Sequence, residues 1–413
     1  MSEKTKIVLA FSGGLDTSYC VLALKAEGFE VHTAFVDTGG ISADQKHWIA
    51  QRASSLGAEQ HHELDASQAL WDQFVVPLLW SGARMLEQYP MLCSDRYVIV
   101  EQCLELADQL GTPHFAHGCT GMGNDQLRFD QSVRSLGDYT IHAPIRALQR
   151  EGLNVREHEL TLMAEAGIEV PESSSRYSIN ENLLGVTLSG QEIDEFGTPG
   201  DDTYVWCRPR SSWPAERMEL TLGFDAGQPV SLNGERMAGP ELLAKLNVML
   251  GAYGVGRHIY TGDVSIGLKG RIVFECPGVD GLMIAQRALR EGVSTRLQNQ
   301  FQQTIAQRWA ELVYTGFFFE PHKYDLEAYL AQANRYVTGV VRLSTDGGAV
   351  HAVSVGSKYL LRDPDAVYAQ SAAWTPEEAE GFVKLIGQSS TMAARVHKAD
   401  SESGHGAPRS PDA

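Results

Sequence analysis

This 413-residue chain is short of several things, and each shortage closes off a class of function. Its six cysteines, at positions 20, 93, 103, 119, 207 and 276, include no C-x-x-C pair. Neither a zinc ribbon nor a redox dithiol is therefore written in the spacing, and reduced structural thiols are expected. No apolar run approaches the ~18 residues that a membrane helix requires. The opening stretch MSEKTKIVLAFSGG passes from charge straight into a short strand, without the apolar core of a secretory signal. Basic side chains are outnumbered, 34 against 52 acidic, and the formal charge of -18 repels a phosphate backbone, which argues against nucleic acid as a partner. The expectation is a cytoplasmic protein. With 43% hydrophobic and 21% charged residues, the composition is that of an ordinary globular chain.

What is present is an alternation of apolar strand-like runs with helical periods. Lys6–Phe11, a helix over Leu15–Glu27 closed by Gly28, and Glu30–Asp37 read as strand, helix, strand. A helix over Ala43–Leu56, a strand at Glu59–Leu64, a helix over Ser94–Leu110 and a strand at Pro113–His117 continue the series. The pattern predicts an α/β, Rossmann-like, doubly wound parallel sheet with its ligand crevice at the carboxyl ends of the strands. After about residue 180 the signals become antiparallel: Met218–Gly223 and Pro229–Leu232 beside an Asn233-Gly234 turn, then Val264–Leu268 facing Arg271–Glu275 across Lys269-Gly270. A long amphipathic helical stretch follows from Leu282 to Val313. Beyond Ser389 the chain turns polar without periodicity, and residues 389–413 are expected to form a disordered tail.

The segment Ala10-Phe11-Ser12-Gly13-Gly14-Leu15-Asp16-Thr17-Ser18 joins the first strand to the first helix. Two glycines let the backbone approach an anion, the helix start adds unpaired N–H groups, and Ser12, Thr17 and Ser18 offer hydroxyl donors. The Walker spacing and its lysine are missing, and Asp16 instead offers a carboxylate for Mg²⁺ beside the phosphates. Further on, Gly118-Cys119-Thr120-Gly121-Met122-Gly123-Asn124-Asp125-Gln126-Leu127-Arg128 gathers a hydroxyl, an amide, a carboxylate and a guanidinium in one turn. That set suits a zwitterionic amino acid bearing an extra carboxylate, with Arg128 as its clamp. His114, His117 and Cys119 lie close in sequence, but strand alternation puts His114 on the opposite face from the other two, so no metal site is read there.

The first loop resembles the pyrophosphate loop of the N-type ATP pyrophosphatases, which cleave ATP between the α and β phosphates. The Gly118–Phe129 block resembles the G-x-T-G-K-G-N-D-Q-x-R-F block of argininosuccinate synthases, and Tyr177-Ser178-Ile179-Asn180-Glu181-Asn182-Leu183 resembles their Y-S-x-D-E-N-L block. The resemblance implies ATP and Mg²⁺ as cofactors and citrulline and aspartate as substrates. It also implies an ATP-pyrophosphatase domain over residues 1–175, an α+β synthetase and multimerisation domain with C-terminal helices over 176–388, and a homotetramer. By position it assigns residues 10–18, Val36 and Gly118 to the nucleotide, Thr120, Asn124 and Asp125 to aspartate, and Tyr89, Ser94, Asn124, Arg128, Ser178 and Thr187 to citrulline. Asp16, Asp125 and Arg128 would carry the chemistry, with Asp16 on the metal.

The chain departs from the pattern mainly on the citrulline side. Met122 replaces a lysine, Gly40 stands where glutamine is common, and Leu92–Arg96 differs from the usual G-T-[SA]-L-A-R. The family's citrulline-contacting glutamate and tyrosine become Gly262, beside Asp263, and Phe274. Two alternatives to ligation of free citrulline stay open at this point: the same chemistry on an N-acylated citrulline, and a nucleotide-binding sensor that has lost catalysis.

Overall fold

The computed structural model describes residues 4–170 and 177–402. Lys6–Ala10 (β1), Glu30–Asp37 (β2), Gln60–Asp65 (β3), His114–Ala116 (β4) and Thr140–His142 (β5) form a parallel sheet in the order β3-β2-β1-β4-β5. β1 reads as continuous apolar sequence because both of its faces are covered. Ile7 and Leu9 enter one core with Cys20, Val21 and Leu24 of the Leu15–Ala26 helix, whereas Val8 and Ala10 enter another with Val98, Val100 and Cys103 of the Asp95–Leu110 helix. β2 and β4 flank β1 on opposite sides. The strand order therefore reverses at β1, and the loops leaving β1 and β4 face each other across the crevice that such a reversal opens.

The rest of the larger unit is antiparallel. Ser178–Asn182 (β6) and Gly185–Ser189 (β7) join a sheet ordered β11-β12-β7-β6, where β11 is Arg257–Asp263 and β12 is Lys269–Glu275. Met218–Asp225 (β8), Gln228–Leu232 (β9), Glu235–Arg236 (β10), Gly339–Gly347 (β13) and Ala349–Gly356 (β14) form the other, in the order β10-β9-β8-β13-β14. Helix Pro277–Val293 buries one long face, including Leu282, Ala285 and Leu289, within the main core.

Several local expectations change. Lys269-Gly270 is not a turn: both residues pair within β12, and the hairpin turns at Val264–Leu268, with Gly267 in the left-handed region at φ 88°. Asn233-Gly234 links β9 to β10, while β8 and β9 meet at Ala226-Gly227, both at positive φ. The single long helix is two, ending at Val293 and restarting at Arg296, because Thr295 and Gln298 form a reciprocal capping box. The tail expected to be disordered from 389 carries a helix over Gln388–Glu402, and residues 403–413 lie outside the described ones, as does the expected domain boundary at 175.

Met1–Leu360 and Leu361–Ala413 are separate compact units. In the second, helices Pro376–Ile386 and Gln388–Glu402 bury no residue, and Phe382, Val383, Leu385 and Ile386 stand exposed.

Candidate active site

The loop after β1 is shaped by glycine for both conformational and spatial reasons. Gly13 sits at φ 78°, and a β-carbon there would fall 2.9 Å from the Trp48 ring and 3.1 Å from Ile49 Cγ1. Gly14 caps the following helix with no side-chain hydrogen bond, which leaves first-turn N–H groups for an anion. Ser12 Oγ accepts from Gly14 N at 3.4 Å and lies 3.3 Å from Thr17 Oγ1, so both hydroxyls border the loop. Ser18 is buried, donates to Gly13 O at 3.3 Å and accepts from Arg52 Nε at 3.3 Å, a position that braces the loop from behind. Ala10, Phe11, Leu15 and Val36 are buried around it. Gly118, just beyond β4, meets the start of the first helix: a β-carbon on it would lie 3.1 Å from Thr17 Cγ2.

Asp16, in the first turn of that helix, faces Glu159 of the Val155–Glu165 helix. Burial raises the Asp16 carboxyl, with the Glu159 hydrogen bond and Arg156 pulling it back down. Burial and the neighbouring Asp16 charge push Glu159 up to about 8, so near neutrality it holds a proton that it can share with Asp16. Glu159 Oε1 is buried without a hydrogen-bond partner.

The loop after β4 is held by a relay. Cys119 N donates to His117 Nδ1 at 3.1 Å, which fixes the other ring nitrogen as the donor, and Nε2 meets Asp130 Oδ1 at 3.0 Å. Asp130 also takes Arg146 at 2.9 Å and 3.1 Å. His117 thus has both nitrogens engaged, and His114 pairs with His142 at 3.1 Å, which leaves the His114, His117 and Cys119 set structural.

On the same loop Thr120 Oγ1 accepts from Met122 N at 3.4 Å, and Met122 is exposed. Asn124 is bound at both ends of its amide, donating to Tyr314 Oη at 3.2 Å and accepting from Ser265 N at 2.9 Å. Asp125 lies between two guanidiniums, Arg128 at 2.7 Å and Arg96 at 3.2 Å. Burial opposes its ionisation, but the two cations outweigh burial and hold its carboxyl below the usual range. Asp125 is therefore a fixed acceptor, unsuited to carrying protons. Arg128 is buried, donates to Tyr314 O at 3.1 Å, stacks over the Tyr314 ring at 5.1 Å and keeps Nε without a partner.

The remaining expected contacts come from the β11-β12-β7-β6 sheet and the segment before helix Asp95–Leu110. Asn180, Thr187, Phe274 and His258 are direct cross-strand partners, so their side chains share a face, and Ser178 lies two residues along on the same face. Ser178 is exposed, and Thr187 Oγ1 donates to Asn180 O at 3.4 Å. Tyr89 packs its ring edge on Phe274 at 5.2 Å and accepts from Cys93 N at 3.2 Å, while Ser94 turns its hydroxyl to Met91 O at 2.8 Å. Gly40 stands at φ 88°, and a β-carbon on it would lie 2.6 Å from Asn182 O. A glutamine there would have to displace β6.

The structure adds residues the sequence reading passed over. Arg96 binds Asp95, Asp125 and, at 2.7 Å, Asn180 Oδ1, joining the Asp125 loop to β6. Its retained place at the end of Leu92–Arg96 was the available signal. Tyr314 and Tyr260 carried none, since their partners lie far off in the chain.

The chain matches the arginosuccinate synthase N-terminal HUP domain over residues 6–169 and the arginosuccinate synthase C-terminal domain over residues 177–393. It is 52% identical to an argininosuccinate synthase of Xanthomonas campestris over 398 residues, covering 96% of this chain and 100% of that one. It is 50% identical to one of Xylella fastidiosa, covering 96% and 99%, and 34% identical to one of Bacillus subtilis, covering 96% and 98%. Two family domains in tandem, with half of all residues shared over nearly the whole length, place this chain in the argininosuccinate synthase family of ligases.

Proposed function

We propose that this chain joins citrulline to aspartate at the crevice between β1 and β4, splitting ATP to AMP and pyrophosphate. The observation that carries the reading is the contact of Gly118 with Thr17, which sets the amino-acid loop directly on the phosphate loop. A ureido carbon is a poor electrophile because two nitrogens feed it, so aspartate needs it activated. The ureido oxygen attacks the α-phosphorus, pyrophosphate leaves into the Ser12–Thr17 cradle, and the aspartate amine then displaces AMP.

Arg128, fixed by Asp125 and Tyr314 O, presents a preorganised cation, and Asn124, Thr120, Tyr89, Ser178 and Thr187 orient the two amino acids. Ser94 and Ser18 hold the backbone of the two approaches. Mg²⁺ coordination uses one or two carboxylates with phosphate oxygens, and Asp16, with the unpartnered Glu159 Oε1 behind it, fits that set. A cation there would offset the charge of the departing pyrophosphate. The exposed apolar residues of Pro376–Ile386 support a homotetramer in which this unit covers a neighbouring copy. Among the described residues no helix is long and apolar enough to cross a membrane.

The test is pyrophosphate release from purified protein given Mg-ATP, aspartate and citrulline, with mass spectrometry of the product. Argininosuccinate formed in step with pyrophosphate supports the proposal. Nucleotide binding without release contradicts it and favours a sensor.

A further inference from the structure

The turn that delivers Tyr89 is held in a conformation its residues do not favour. Leu86, Glu87 and Met91 stand in the left-handed region, at φ 49°, 63° and 55°, and none is a glycine. The backbone closes on itself there, with Met85 N donating to Tyr89 O at 2.8 Å and Tyr89 N to Met85 O at 3.1 Å. Three such residues around one side chain need support from outside the turn, and strain of this kind gathers where a functional group must be aimed.

Arg84 supplies the support. Its Nη1 donates to Gln88 O at 3.0 Å, inside the turn, and its Nη2 donates to Asp280 Oδ1 at 2.6 Å, in the first turn of helix Pro277–Val293. Asp280 is buried, its Oδ2 accepts from His258 Nε2 at 2.6 Å, and Cys276 Sγ donates to its Oδ1 at 3.4 Å. Burial opposes the ionisation of Asp280, but the His258 hydrogen bond and the Arg84 charge prevail and hold its carboxyl below the usual range. His258 stacks on Phe274, its cross-strand partner, at 4.8 Å, and the Tyr89 ring meets Phe274 at 5.2 Å and Tyr260 at 5.5 Å. One carboxylate therefore reaches Tyr89 by two routes: through Arg84 to the backbone of its turn, and through His258 and Phe274 to the surface its ring packs on. His258, Cys276 and Asp280 also bring their donor atoms within 4.8 Å of one another, but Arg84 already supplies the cation there, so the cluster is a clamp and not a metal site.

We propose that Asp280 is a positioning residue for citrulline: by holding Arg84 on one side and His258 on the other, it fixes Tyr89 in place before the substrate arrives. This rests on the ligase reading above, in which Tyr89 orients citrulline.

The experiment measures kcat and the KM for citrulline, aspartate and ATP in the wild type, Asp280→Ala, Tyr89→Phe and the double variant. Asp280→Ala should raise the citrulline KM by about tenfold and leave the aspartate and ATP KM within about twofold. In the Tyr89→Phe background the same substitution should cost no more than about twofold, because the route ends at Tyr89. Arg84→Lys keeps the charge beside Asp280 but has no fork to serve two acceptors, and it should show a smaller rise in the same KM. It also carries the test if Asp280→Ala fails to fold. A purely structural Asp280 would move all three KM together or none of them, and its loss would multiply onto that of Tyr89→Phe; either result overturns the proposal, with the ligase reading left standing. An unchanged citrulline KM in folded Arg84→Lys overturns it as well. Absence of pyrophosphate release by the wild type takes down both.

Discussion

Gly118 stands against Thr17 so closely that a β-carbon on it would lie 3.1 Å from Thr17 Cγ2 and 3.3 Å from the Thr17 backbone nitrogen. The start of the Leu15–Ala26 helix and the loop after β4 are thus set by one contact between segments that follow neighbouring strands and lie far apart in sequence. Gly118→Ala should raise the ATP KM several-fold, and Gly118→Val should lower kcat/KM by about a hundredfold, since sub-ångström misplacement of reacting groups is amplified in rate. Steady-state kinetics with each substrate varied in turn checks this. An unaffected ATP KM in the valine variant would remove the contact from the account.

Arg96 ties three acidic or amide groups on different elements into one network around Asp125. Arg96→Ala should leave Asp95 and Asp125 without their common cation and lower kcat/KM by roughly a hundredfold, with Arg96→Lys recovering only part, because a lysine has no fork to serve several acceptors. Asn180→Asp, which restores the family's acidic residue opposite Arg96, should be stabilising by ~0.5–1 kcal/mol, read as a shift in denaturant midpoint.

Asp130 supplies a pH dependence of known sign. Burial opposes its ionisation, but hydrogen bonds from His117 and Arg146 prevail and hold it down to about 2. An unfolded aspartate titrates near ~3.9. The group therefore contributes stability that is fully present above that value and is lost as pH falls through about 2. At pH 7 Asp130→Asn should destabilise by on the order of 1 kcal/mol after allowance for solvent screening, and the gap to wild type should close in acid. Melting curves of both proteins across this range check the sign. A gap that widens in acid would contradict it.

Deleting the chain from Leu361 onward removes helices Pro376–Ile386 and Gln388–Glu402, which bury nothing themselves. The truncated protein should run at a lower oligomeric mass by light scattering while its first unit remains folded. A full tetramer after truncation would show that the exposed apolar residues serve another purpose.

The parts of this molecule legible in its sequence are those whose geometry is local. The Ser12–Ser18 loop and the Gly118–Arg128 block each combine glycines with a helix start, so their residue types and their resemblance to family motifs marked them as candidates. The parallel sheet was legible because β1 is apolar through both faces and β1, the Leu15–Ala26 helix and β2 follow one another at strand–helix–strand spacing. Gly270 misled because glycine reads as a turn, yet here it pairs with Gly262 inside the ladder, one pair from its end, while Gly267 takes the positive φ. The break between the two long helices was in fact written in Thr295-x-x-Gln298, but the apolar period runs across it. Gln388–Glu402 is polar and aperiodic, so helix propensity without a buried face was mistaken for disorder. Tyr260, Tyr314 and Glu159 could not be found from the sequence because each acts through a partner that only tertiary packing supplies.

The most direct test of the account is the fate of the ureido oxygen. Citrulline labelled with oxygen-18 at the ureido position, turned over with ATP and aspartate, should deliver its label to the phosphate of AMP, because that oxygen forms the bond to the α-phosphorus and leaves with AMP when the aspartate amine displaces it. Label found in pyrophosphate, or AMP free of label while argininosuccinate accumulates, would contradict activation by adenylation at the Ser12–Ser18 loop.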